Sequence, residues 1–156
     1  MSTIEARQFD RRRFVGLLIM GTVMLSGTAA CGMVHGLLME KPSASEFGLG
    51  PRVSDKGMFV ATLNPVEPLR PRKLHTVQFQ LRNPEGESIE NAVIVIDGGM
   101  PQHGHGLPTR PRVTRSLEDG VYEVEGVRFS MGGWWEFTLA VTTPAGNDSV
   151  TFNLDI

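Results

Sequence analysis

Trp134-Trp135-Glu136-Phe137-Thr138-Leu139-Ala140-Val141 alternates without a break, and Val150-Thr151-Phe152-Asn153-Leu154-Asp155-Ile156 does the same to the end of the chain. A side-chain period of two puts Trp135, Phe137, Leu139 and Val141 on one face of a strand, and Val150, Phe152, Leu154 and Ile156 on one face of the next. At a helical period the same residues would be smeared around the cylinder. Pro144-Ala145-Gly146-Asn147-Asp148 between the two runs is a turn signal, so the pair predicts an antiparallel hairpin with one buried face.

The same pattern extends towards the N-terminus. Met58 to Leu63 is a first apolar run, and Leu74 to Leu81 sets His75, Val77, Phe79 and Leu81 against Thr76, Gln78 and Gln80. Asn83-Pro84-Glu85-Gly86 turns the chain. Ala92-Val93-Ile94-Val95-Ile96 is apolar on both faces and predicts a central strand. Arg112 to Leu117 reads as a weak, exposed strand, and Val121 to Val127 alternates after the turn Glu118-Asp119-Gly120. About seven strands with no useful helical stretch predict an all-β domain, an immunoglobulin-like antiparallel β-sandwich, over residues 57–156. A closed barrel is the alternative. With one cysteine in 156 residues, no intrachain disulfide forms, and the core must supply the stability.

The first 39 residues have a different character. Arg11-Arg12-Arg13-Phe14-Val15-Gly16 opens an apolar run that ends in Gly27-Thr28-Ala29-Ala30-Cys31. This is the grammar of a secretory signal, and the paired arginines resemble a twin-arginine export signal, with Asp10 departing from it. Cys31 after small residues resembles a lipoprotein cleavage site. From Phe14 to Met39 no residue is charged, a length that also spans a bilayer. Residues 1–39 are therefore read as a signal peptide or membrane anchor, preceding a linker over 40–56 rich in Pro, Ser and Gly. Both readings place the body outside the cytoplasm, on the periplasmic side of a bacterial inner membrane or elsewhere in the cell envelope. The membrane is then the first partner, through this segment or through lipidated Cys31.

Charge and motifs narrow the function. Beyond residue 31 the chain carries 11 basic and 15 acidic residues, a balance that argues against nucleic acid. No Ser-His-Asp set, paired carboxylates or phosphate loop stands out, so an enzyme is not expected. Two loops break the strand pattern. Gly98-Gly99-Met100-Pro101-Gln102-His103-Gly104-His105-Gly106-Leu107-Pro108 holds two of the four histidines, and Arg128-Phe129-Ser130-Met131-Gly132-Gly133-Trp134 holds a further methionine. In a sandwich, loops from different strand pairs gather at one end. Met100, His103, His105 and Met131 would then offer two thioethers and two imidazoles, a donor set that suits copper(I) best. Zinc remains open through Asp97 or Glu118. The plainer reading is that His-Gly-His makes turn hydrogen bonds and Met131 fills the core. His75, on an inward-facing position, reads as a core histidine.

These loops, with Pro111, Val113, Gly120-Val121-Tyr122 and Gly126-Val127-Arg128-Phe129-Ser130-Met131-Gly132-Gly133-Trp134-Trp135-Glu136, resemble the YtkA-like domain, which is related to the FixH-like proteins. The resemblance covers roughly residues 55–156 and is densest over 98–137. It implies an exported or membrane-anchored β-sandwich, linked through the FixH-like members to cation transport and to assembly of a copper-containing respiratory oxidase. Met100, His103, His105 and Met131 fall in the motif's positions, whereas Gly132-Gly133 stands where a proline often occurs. Two functions follow as expectations. One is copper binding for metal handling or oxidase assembly. The other is a metal-free interaction module supporting assembly of a membrane complex. A tryptophan plugging the sandwich end and a tyrosine corner at Tyr122 are the structural roles expected of the same motif.

Overall fold

The computed structural model describes residues 40–156, so the leader and Cys31 lie outside the described residues. Two antiparallel sheets face each other, which settles the sandwich over the barrel. The strands are β1 (Arg52–Val53), β2 (Val60–Pro65), β3 (Leu74–Arg82), β4 (Val93–Met100), β5 (His105–Gly106), β6 (Arg112–Ser116), β7 (Val121–Arg128), β8 (Trp134–Thr143) and β9 (Gly146–Asp155). One sheet runs β1-β2-β3-β7-β6 and the other β5-β4-β8-β9. The seven longer strands are those the alternation predicts. The two-residue strands β1 and β5 are too short to carry a period, and only pairing with a neighbour defines them.

The alternating faces meet in the middle. His75, Val77, Phe79 and Leu81 of β3 point inward, as do Trp135, Phe137, Leu139 and Val141 of β8 and Val150, Phe152 and Leu154 of β9. Aromatic rings bridge the layers. Phe79 lies 5.8 Å from Phe137, and Phe129 meets Trp135 edge-on at 5.3 Å, arrangements that add to plain area burial. Tyr122 forms the expected corner. Its hydroxyl donates to Ile89 O and accepts from Ala92 N–H, both at 2.9 Å.

β4 departs from the reading of a strand buried on both faces. It pairs with β8 along Val93–Gly99, but with β5 only at Gly99 and Met100, so most of its other edge is free. Ile96 is buried while Val93 and Val95 are over 60 % exposed. A run of branched apolar residues meets the β-propensity of either position, so composition does not separate a central strand from an edge.

Residues 40–56 do more than link. A 3-10 turn at Ala44–Glu46 leads to Phe47, which bridges to Asn153 of β9. Leu49 O accepts from Leu63 N–H, β1 pairs with β2, and Asp55 N–H donates to Ser149 O of β9. The stretch thus stitches β2 of one sheet to β9 of the other. Among the described residues no helix is long and apolar enough to cross a membrane.

Candidate metal-binding rim

Antiparallel register decides which loops meet. The ends of β2, β4, β7 and β9 and the starts of β3 and β8 lie at one end of the sandwich. The His-Gly-His loop leaves β4 there, and the Phe129–Gly133 loop joins β7 to β8 there. The opposite end carries the 83–91, 117–120 and 144–148 turns.

The first loop is built on close backbone approach. A β-carbon at Gly99 would lie 2.8 Å from His105 O, too close for any other residue without movement. This lets β5 fold back on β4, with His105 opposite Met100. Met100 O accepts from both His103 N–H (3.0 Å) and Gly104 N–H (2.9 Å), and Gly104 takes φ 63°. The turn therefore fixes the backbone from which both imidazoles project. Their rings lie nearly parallel, 9° between planes and 6.1 Å between centroids, and both residues are exposed.

The second loop is pinned from three sides. Gly133 exchanges both backbone hydrogen bonds with Ile156, Trp135 Nε1–H donates to Met131 O (3.0 Å), and Phe129 O accepts from Arg72 N–H (2.7 Å). A β-carbon on Gly133 would lie 3.1 Å from Met100 Cε, so the two loops touch at this point. The two methionines differ. Met100 is buried under the second loop, whereas Met131 is 41 % exposed. The structure brings His103, His105 and Met100 onto one turn. It sets Met131 on the adjoining loop with its side chain open to solvent, and Trp135 rather than Met131 fills the core beneath.

The carboxylates considered for zinc separate. Asp97 is three residues back along β4, and its carboxylate accepts from Gly98 N–H. Glu118 lies in the β6–β7 turn at the opposite end, beside the Leu81–Gly120 contact. Among the described residues no three His, Cys, Asp or Glu side chains converge. Thioether donors, which zinc does not favour, are what the rim offers instead.

His75 is buried below the rim. Its Nε2 lies 3.1 Å from Arg70 N and 2.9 Å from Arg70 O, and its Nδ1 stands 3.4 Å from Glu67 Oε1. It acts as a core histidine that fastens the 66–73 loop. That loop, Val66-Glu67-Pro68-Leu69-Arg70-Pro71-Arg72-Lys73, was not singled out by the sequence reading, although its alternation of proline, arginine and lysine was visible. Glu123, buried between β3 and β6, was also missed. Hydrogen bonds from the Arg115 guanidinium first, then from Gln78, hold its carboxyl below the usual range. Its signal was a cross-strand pair that only the register reveals.

A family model described as YtkA-like matches residues 59–140, more than half of the chain. No curated protein matches, and no solved structure matches.

Proposed function

We propose, since this chain belongs to the YtkA-like family, that it is an exported, membrane-tethered domain that binds copper(I) at the rim built by His103 and His105. Its role is then metal handling or the assembly of a respiratory oxidase. The observation that carries the reading is the parallel imidazole pair, exposed on a turn whose backbone is locked by Met100 O. Two nitrogens that share one ion stand at most about 4 Å apart, since each metal–nitrogen bond is about 2 Å. Sharing an ion therefore requires the two exposed side chains to turn towards each other from the observed 6.1 Å ring separation. Met131, exposed on the adjoining loop, is the thioether free to turn towards the ion. Met100 supports from below. The anchoring half of the proposal rests on the arginine cluster and uncharged run of residues 11–39.

Copper(I) titration of the purified protein against a competing chelator tests the site. Binding is expected in the parent, weakened by Met131→Ala and lost in the His103→Ala, His105→Ala double variant. A double variant that binds like the parent removes the proposal.

A metal-free interaction module is supported by a different observation, the free edge of β4 with Val93 and Val95 exposed beside it. Exposed strand edges accept a partner's strand. Crosslinking in membranes separates the two readings. A partner captured equally by metal-free and copper-loaded protein favours the second.

A further inference from the structure

The end opposite the rim is acidic on balance, with Arg82 and Lys56 as its basic exceptions, whereas the rim end carries Glu67, Glu136 and Asp155 beside a cluster of basic residues. The turns opposite the rim hold Glu85, Glu87, Glu90, Glu118 and Asp119, all exposed. The rim end holds the basic loop between β2 and β3, with Arg70, Arg72 and Lys73, and beside it Arg128, which is paired in register with Leu74. Glu67 in the same loop is taken up by Lys73 at 2.6 Å. Among the described residues neither Arg70 nor Arg72 has a carboxylate within ion-pair distance.

The loop is held, with Leu69 packed against the core and the basic side chains exposed. Arg72 takes φ 66°, its N–H donates to Phe129 O, and Arg70 N–H donates to His75 Nε2. Flanking the basic residues, Val66 and Leu74 are 64 % and 61 % exposed. Apolar side chains set among arginine and lysine on a fixed loop are the composition that enters a headgroup boundary. The path of the chain points the same way. Lys41 lies 3.9 Å from Asp155, at this end of the sandwich, so the uncharged run that finishes at Met39 is joined to the body here.

We propose that the 66–74 loop docks the rim end of the domain onto an anionic bilayer surface. The acidic turns, repelled by the same surface, then face away from it, so charge sets the orientation as well as the contact. The docking draws its geometry from the tethered reading above but is independent of copper. It would hold the His103–His105 pair close to the headgroups, where a membrane protein delivers or receives an ion.

The test uses the full chain on vesicles of phosphatidylcholine alone or mixed with phosphatidylglycerol, followed by backbone hydrogen exchange. Residues 66–74 are expected to exchange several-fold more slowly on the anionic vesicles, with 83–90 unchanged. The difference should vanish in the Arg70→Gln, Arg72→Gln, Lys73→Gln variant, and in about 0.5 M salt, where screening shortens to a few ångströms. Glu85→Gln, Glu87→Gln at the opposite end should leave the slowing in place. Equal exchange on both vesicles overturns the docking. So does equal slowing by heparin without vesicles, which would assign the loop to soluble polyanions. Alkaline extraction reads the tether separately. A chain stripped from both vesicles refutes the anchor, while slowed exchange on anionic vesicles before extraction still upholds the docking.

Discussion

Single residues at the margins of the core show where local chemistry decides structure. Tyr122 was readable as a corner residue because an aromatic with a polar tip stands on an inward face just after a Gly turn. The hydroxyl indeed closes the 89–92 segment onto β7. Tyr122→Phe keeps the ring and strands Ile89 O and Ala92 N–H, at a cost of about 1–3 kcal/mol, measurable by denaturant unfolding. A variant as stable as the parent would mean that water replaces the hydroxyl at no cost. His103 and His105 were equally legible as residue types in a tight glycine loop. What the sequence left undecided was which methionine is buried. Met100 and Met131 have the same chemistry, and only the contact between Met100 Cε and Gly133 sorts them.

Elements were legible where side chains alternate over six or more residues, because a face is then fixed whatever the neighbours are. β3, β8 and β9 are such cases. β4 was recognisable as a strand, but its position at a largely free edge was not, since pairing with β5 depends on how Gly99 lets the chain return. The two rim loops, by contrast, follow from connectivity once the hairpins are placed. Their coupling is the element-level test. Gly133→Ala puts a side chain at φ 122° and presses on Met100 Cε, so a loss of about 1–3 kcal/mol is expected. The same variant should also weaken copper(I) binding if Met100 supports the histidine turn. Unchanged binding at reduced stability would confine Met100 to packing.

At the level of the whole molecule, acid sensitivity should trace to a few carboxylates that no motif marks. Burial pushes Asp148 upward. Hydrogen bonds from the Ser54 side chain and from the N–H groups of Ser149, Met58 and Lys56 outweigh it and hold the carboxyl below its usual value. A depressed folded pKa gives stability that is complete above the unfolded value and is lost as pH falls through the folded one. Thermal midpoints should therefore fall below about pH 4, and less steeply in Asp148→Asn, whose neutral side chain has no proton to gain. Parallel pH profiles for the two proteins would reassign the acid limb to other carboxylates such as Glu123.

The stretch from Phe47 to Asp55 alternates its backbone bonds between β9 and β2, so it closes one flank of the sandwich like a seam. A seam sewn at the point where the chain enters takes any mechanical load before the layers behind it do. Tension transmitted through residue 40 would unpick the bonds at Phe47, Gly48 and Leu49 one after another, while the β8–β9 ladder stays intact. A pulled molecule should therefore lengthen first by a short, low-force step and only then rupture, giving the domain a compliant lead ahead of a stiff body.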